Sequence, residues 1–291
     1  MSNIDTEGKE KKRKNRRGKG KNSINVFSIL LVNLRGYRSK EYSLKKSLKK
    51  LKPSMVLMNE TLMRGNMKIT LEPSYRTWSK NRTAQAGGGV ATAVARAFMD
   101  KSGGAGEGRG VDEYIITRVT TFSPALNVIN YYGEQRKTSK QEVEEKWKRL
   151  CQDLENIRAR NEFCILGGDM NKWVGSGELG ITGNHPQLSF GGKLLRELLA
   201  SRNWVLVNGM GEETVIGGPF TRQDPATGIL SCLDLFVVSR DVVPYIRSLE
   251  IDSKRKIYIA RVDRNKKRGT FRSVYLDHFP VVLALNNLPL A

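Results

Sequence analysis

Residues 162–171, Glu-Phe-Cys-Ile-Leu-Gly-Gly-Asp-Met-Asn, constrain what this chain folds into more than any other stretch. Phe163 to Leu166 is an apolar run of strand length, closed by two glycines and too short for a helix. Such a run fits a strand buried on both faces, in the middle of a layered α/β domain. Gly167 and Gly168 are expected to bend the chain sharply as it leaves the sheet. Asp169 and Asn171 then arrive together at the strand's C-terminal edge, on one side of an extended backbone. A carboxylate beside a carboxamide holds a water and donates to a phosphate oxygen at once. The same residues read equally well as an Asx-rich turn, so partners supplied elsewhere decide.

The pattern recurs along the chain. Ile24 to Val32 is a second apolar run, and it ends at Asn33; Met55 to Met58 is a third, ending in Asn59-Glu60-Thr61. Between them a helix carries Leu44, Leu48 and Leu51 on one face and stops at Pro53. Further strands are expected over 74–79, 89–95, 114–121, 126–132, 204–207, 233–238 and 281–285. A long helix over 140–160 places Val143, Trp147, Leu150, Leu154 and Ile157 on one stripe, and a short one follows over 194–200. Residues 220–234 read as a hairpin turning at 224–228, and 254–272 as a basic hairpin or loop. This alternation predicts an α/β fold of four layers, α/β/β/α, with two mostly antiparallel sheets face to face and helices outside. One domain is expected over 23–287, after a disordered basic tail at 1–22 and before the start of a linker at 288–291.

The formal charge of +21 favours a polyanionic partner. The tail holds nine Lys/Arg against three Asp/Glu, which leaves +15 on the rest. The tail itself reads as a solubilising segment, a nuclear address or a nonspecific DNA contact. Cys151, Cys164 and Cys232 form no C-x-x-C pair, which argues against a disulfide frame or zinc site and for a reducing, intracellular compartment. Cys164 and Cys232 sit in apolar runs and read as core. No apolar stretch has the length of a membrane span, so no membrane partner is expected.

Six segments stand in one order: Val-Asn-Leu-Arg-Gly with Asn33, Asn-Glu-Thr with Glu60, Val-Ile-Asn-Tyr-Tyr closing at Tyr132, Gly-Asp-Met-Asn, Leu-Asp-Leu-Phe and Leu-Asp-His. That order resembles the endonuclease/exonuclease/phosphatase superfamily of DNase I-like enzymes, from about Ile24 to Leu285. Within it the chain looks most like the endonuclease domain of LINE-type, non-LTR retrotransposons. Met-Asn-Glu-Thr-Leu, Gly-Gly-Val-Ala-Thr-Ala-Val and the hairpin before Leu-Asp-Leu-Phe carry that closer match.

The resemblance implies roles. Glu60 would be the principal ligand of Mg²⁺, or of Mn²⁺ in its place, with Asn33 and Asp277 beside it. Asp169 would orient or deprotonate the attacking water, Asn171 would donate to the phosphate, and Tyr132 would donate its phenolic hydrogen, with Tyr131 the adjacent candidate. His278 would stabilise the transition state, its ring fixed by Asp234. Arg222, Thr221, Arg35 and Gln135 would contact DNA, and residues 221–230 would approach the groove. Arg222 and the basic run at 254–272 flank the catalytic strands, so they suit a clamp on a duplex. Leu276 and Gln135 depart from the family pattern of Ser and Asn, which implies an active enzyme of reduced rate. His185 receives no role. The implied activity is a Mg²⁺-dependent DNA endonuclease that nicks one strand of double-stranded DNA and leaves a 3′-hydroxyl. It would act in the nucleus beside the reverse transcriptase of the same polyprotein. An apurinic-site repair nuclease, an inositol or lipid phosphodiesterase and an inactive nucleic-acid-binding module are the alternatives.

Overall fold

The computed structural model describes residues 26–81, 88–99, 114–133, 138–175, 188–201, 203–265 and 270–291. The first part of the chain contributes β1 (Val26–Asn33), α1 (Glu41–Leu51), β2 (Met55–Asn59), β3 (Tyr75–Lys80), β4 (Val90–Ala95), β5 (Tyr114–Val119) and β6 (Leu126–Tyr132). Then come α2 (Lys140–Ala159), β7 (Phe163–Asp169), α3 (Phe190–Ala200), β8 (Trp204–Leu206), β9 (Val215–Ile216), β10 (Arg222–Gln223) and β11 (Leu230–Ser231). The remaining strands are β12 (Asp234–Ser239), β13 (Ile246–Ile251), β14 (Ala260–Asn265), β15 (Thr270–Tyr275) and β16 (Val281–Asn286).

Seven strands form one sheet in the order β3-β4-β2-β1-β16-β13-β9, and five form another in the order β5-β6-β7-β12-β8. Pairing is antiparallel except for β1–β2, β6–β7 and β9–β13. Alternation along the strands explains the layering. Ile29, Leu31, Met55 and Leu57 from the larger sheet meet Val128, Ile165, Phe236 and Val238 from the smaller one in a shared core. The opposite faces carry the other half of each strand. Leu30, Val32, Val56 and Met58 pack under Leu44 and Leu48 of α1. Ile129, Tyr131, Leu166 and Leu235 pack under Trp147, Leu150 and Leu154 of α2 and Leu195 of α3. The result is the expected α/β/β/α sandwich.

Two expectations are corrected here. Gly167 and Gly168 do not bend the chain out of the sheet, because β7 runs straight through them to Asp169. They are small because neighbours lie close: a Cβ on Gly168 would fall 1.8 Å from Tyr131 O, and one on Gly167 would fall 2.5 Å from the Phe236 ring. Residues 288–291 do not open a linker. Leu288 is buried in the central core, Leu290 bridges to Phe122, and Ala291 N donates to Thr121 O. Among the described residues no helix is long and apolar enough to cross a membrane.

Candidate active site

Strand direction and register bring the polar ends to one rim. In the larger sheet β1 and β2 run parallel, with Asn33 beside Asn59. In the smaller one β6 and β7 run parallel with Tyr132 beside Asp169, and antiparallel β12 starts with Asp234 opposite Asp169. The segment Asp277-His278 enters β16, which lies antiparallel to β1, and so reaches the same rim. A one-residue slip in any pair would turn these side chains away.

The two sheets are joined at that rim by side-chain hydrogen bonds. Asn33 Nδ2 donates to Asp169 Oδ2 at 2.8 Å. Asn59 accepts from the backbone N–H of Asp169 at 2.9 Å and donates to Asn130 Oδ1 at 2.9 Å and Tyr131 O at 3.2 Å. Asn130 returns the contact, donating to Ala91 O at 2.8 Å. These buried amides hold the Asp169 backbone at a fixed height between the sheets. Replacing Asn59 by leucine leaves the Asp169 N–H, Asn130 Oδ1 and the Tyr131 carbonyl without this partner. At about 1–3 kcal/mol for each buried group, we expect a loss of at least ~3 kcal/mol in urea unfolding and a Tm lower by roughly 6–12 °C. An unchanged Tm would refute the bridging role.

Asp169 is wholly buried, and its Oδ1 accepts from the Asn171 backbone N–H at 3.0 Å. His278 Nδ1 is 2.7 Å from Asp234 Oδ2, and Nε2 is 3.9 Å from Asp169 Oδ2. Burial pushes Asp169 up to about 7, against the pull of the His278 charge. Burial alone would lower His278, but the carboxylates of Asp234 and Asp169 outweigh it and raise the imidazole to about 9. The arrangement is therefore an imidazole held between two acids, with the pKa values of Asp169 and His278 both raised.

Beside this trio lies a second cluster. After β1 and β2 the chain keeps its parallel spacing: Leu34 N donates to Asn59 O, Gly36 N to Glu60 O and Tyr37 N to Thr61 O. Arg35 thus faces Glu60, with 4.0 Å between Nε and Oε2, and its Nη1 lies 3.0 Å from Asp277 Oδ2. Arg222 Nε is 3.4 Å from the same Asp277 oxygen. Tyr132 OH donates to Glu60 Oε1 at 2.7 Å. Arg35, Glu60 and Asn171 all sit at positive φ, 43°, 47° and 47°, a conformation that non-glycine residues adopt at a cost and that gathers at functional sites. Lys40, buried below, donates to Arg35 O at 2.8 Å; burial, followed by the charges of Arg261 and Arg35, lowers its pKa.

Most of the expected site residues meet here, with changed parts for some. Tyr132, not Tyr131, faces the rim, because Tyr131 packs edge-on against Trp147 under α2. The Tyr132 hydroxyl is spent on Glu60 rather than presented outward. Asn33, expected among metal ligands, donates through Nδ2 to Asp169 and accepts from Arg35 N at 3.2 Å on Oδ1. Asn171 donates to Gly133 O at 3.0 Å, so it closes a turn as well as standing at the rim. Thr221 is not a DNA contact: it is fully buried, and its hydroxyl accepts from the N–H groups of Leu233 and Asp234 at 2.9 and 3.0 Å. Thr221 therefore anchors the start of β12. Arg222 pairs by backbone with His278 and is partly exposed beside it, whereas Gln135 and His185 lie outside the described residues. Leu276 replaces a hydroxyl with an apolar side chain that packs in the core under α1. Sequence reading missed Asn130 and Lys40, and noted Asn59 only as a strand end. A lone amide in an apolar run, Met-Val-Leu-Met-Asn, is the signal that was available.

The donor set suits a hard divalent cation. Glu60 and Asp277 are oxygen ligands of one sign, and Asp277 Oδ1 is buried with no hydrogen-bond partner among the described residues. Asp169, Asp234 and His278 also place one ligand atom each within 4.8 Å of the others. In that trio the short His278–Asp234 contact already occupies Nδ1, so Glu60 and Asp277 are the better seat.

The family model described as Endonuclease/Exonuclease/phosphatase matches residues 24–254. No curated protein matches the chain. Among solved structures, the fold is shared with an AP endonuclease from Leishmania major, at 14% identity, 90% of this chain and 88% of that one, and a TM-score of 0.61. The endonuclease domain of TRAS1, a telomere-specific non-LTR retrotransposon, gives 16%, 90%, 98% and 0.59 for the same measures. A 3′ phosphatase from Neisseria bound to a product DNA hairpin gives 15%, 90%, 100% and 0.61.

Proposed function

The chain belongs to the Endonuclease/Exonuclease/phosphatase family, and from that membership we propose that it is a divalent-metal-dependent DNA endonuclease that nicks one strand and leaves a 3′-hydroxyl. Members of that family are metal-dependent hydrolases acting on phosphodiesters. The observation that carries the reading is the meeting of Asp169, His278 and Asp234 with the Glu60–Asp277 pair on one rim of the sandwich. The +15 outside the tail selects a polymeric phosphodiester over a small head group. A role as the target-nicking domain of a retrotransposon, working with a reverse transcriptase and Mg²⁺, is part of this proposal, supported by the likeness to the TRAS1 domain over 98% of that chain.

The residues divide the work as follows. Asp169, as carboxylate, takes a proton from the attacking water, and its pKa near neutrality fits that task. The water oxygen bonds to phosphorus as the bond from phosphorus to the 3′ oxygen breaks, and the departing 3′ oxygen takes a proton from solvent to become the hydroxyl. His278, kept protonated and oriented by Asp234, meets the negative charge that gathers on the phosphate oxygens. Tyr132 and Arg35 hold the carboxylates of Glu60 and Asp277, which would bind Mg²⁺. Bound there, the cation supplies positive charge at the phosphate and the leaving oxygen.

Supercoiled plasmid, intact or carrying abasic sites, tests the reading. We expect relaxation of both substrates in Mg²⁺, none in EDTA, and nicked ends that a DNA polymerase extends. Cutting confined to abasic plasmid would move the protein to repair. Phosphate release from a soluble head group with plasmid intact would overturn the proposal.

A further inference from the structure

Helix α1 opens on Lys40, and that residue goes against three local rules at once. A helix start favours Ser, Thr, Asp or Asn, whose side chains accept from free N–H groups, and Lys40 makes no such cap. The N-terminal end of a helix carries partial positive charge, which repels an ammonium. Lysine is almost never buried unless an acid pairs with it, yet Lys40 is only 7% exposed. A side chain kept at such cost points to a duty outside the helix.

That duty is visible in its partners. Nζ turns back toward the end of β1 and donates to the Arg35 carbonyl at 2.8 Å and to Ser39 Oγ at 3.2 Å. The near partner is therefore a carbonyl and not a carboxylate. A charged donor makes about twice as strong a hydrogen bond as a neutral one. The carbonyl belongs to an unusual turn, in which Arg35 and Gly36 are both left-handed, at φ 43° and 105°. Glycine adopts that conformation freely, whereas arginine does not. Lys40 N also donates to Tyr37 O at 2.9 Å, so one residue grips the turn twice.

The turn in turn sets the acids. It brings Gly36 N to Glu60 O at 2.8 Å and Tyr37 N to Thr61 O at 2.9 Å. It also places the Arg35 guanidinium 3.0 Å from Asp277 Oδ2 and 4.0 Å from Glu60 Oε2. Burial, then the charges of Arg261 and Arg35, lower the pKa of Lys40, while Asp277 and Glu60 pull it up, so its charge is felt by both acids.

We propose that Lys40 is a positioning residue for the nicking reaction: it holds the turn at 35–37 so that Arg35 stays on Asp277 and the Glu60 backbone stays aligned with the end of β1. This rests on the nuclease reading and adds to it a residue that touches neither DNA nor the metal ion. Its effect passes through Arg35 to the two carboxylates.

The test is K40M, which keeps most of the stem and removes the ammonium. In plasmid nicking with Mg²⁺, kcat should fall about 10- to 100-fold while KM moves less than ~3-fold, because the acids are misplaced and the DNA-binding surface is not. Binding of Mn²⁺ alone, followed by the EPR signal of the free ion in DNA-free buffer, should weaken about 10-fold. K40Q, uncharged and one bond shorter, should give the same two losses and serves where K40M does not fold. An R35G chain tests the route, since glycine takes the left-handed turn freely and carries no guanidinium. Adding K40M to it should change kcat by less than about twofold. An equal loss in both backgrounds would overturn the role of Lys40, and so would a fall in kcat with Mn²⁺ affinity unmoved. A folded K40M or K40Q with wild-type kcat and Mn²⁺ affinity would overturn it too, and would leave the nuclease reading standing. A wild type that neither nicks plasmid nor takes up Mn²⁺ would overturn that reading instead.

Discussion

Replacing His278 by alanine is expected to slow plasmid nicking at saturating DNA by about a thousandfold or more. The imidazolium is the positively charged group that touches both Asp169 and Asp234, and a preorganised charge facing developing negative charge is worth about that factor. The same change strands a buried Asp234, whose other oxygen, Oδ1, already has no hydrogen-bond partner among the described residues. Breaking one side of a buried pair costs about 3–5 kcal/mol, so the variant should also unfold earlier. H278A/D234N separates the two effects, because it removes the stranded charge without returning the imidazole. Stability should recover and nicking should not. Recovery of nicking in the double variant would show that His278 acts only as a structural partner.

Asp169→Asn should cost about 10³-fold or more in nicking rate, though the side chains are isosteric. In the wild type Asp169 accepts from Asn33 Nδ2 on one oxygen and from Asn171 N on the other. An amide there must turn its NH₂ toward one of two donors, so it loses both the base and its orientation. The pH profile gives the second readout. Asp169 is raised to about 7, so its carboxylate form, and with it the rate, grows as pH rises through about 7. His278 is raised to about 9, so the rate declines as pH rises through about 9. A bound divalent cation adds positive charge and moves the rising limb to lower pH. D169N should lose the rising limb and H278A the falling one. If D169N keeps a rising limb at the wild-type position, another group is the base.

The layers and the rim were legible because burial writes a simple pattern. Runs such as 55–58 and 163–166 are apolar on every residue, since each face of those strands is covered, and each leads to the rim where Glu60 or Asp169 stands. The roles of small and amide residues were less legible. Gly167–Gly168 reads as a bend because glycine is permissive, yet here it answers the closeness of Tyr131 and Phe236, which no local pattern records. Thr221 beside Arg222 reads as a DNA contact, but its hydroxyl is needed by backbone twelve and thirteen positions later. Asn59 and Asn130 are separated by 71 positions and meet only in the fold. Helix α3 starts earlier than expected, at Phe190, because Gly191 and Gly192 hide a first turn that the Ser189 hydroxyl caps. Gly192 sits where a Cβ would fall 2.0 Å from Trp173 O.

Strand β1 sits in the middle of the larger sheet, and its neighbour on one side is β16, formed by residues 281–286. β1 therefore waits for a partner that comes far later in the chain, and His278 arrives with it. Until then Asp169 has no imidazole and Glu60 no Asp277. On the proposed reading, a nascent chain that has yet to reach β16 lacks the assembled site, and pairing across so long a separation slows folding.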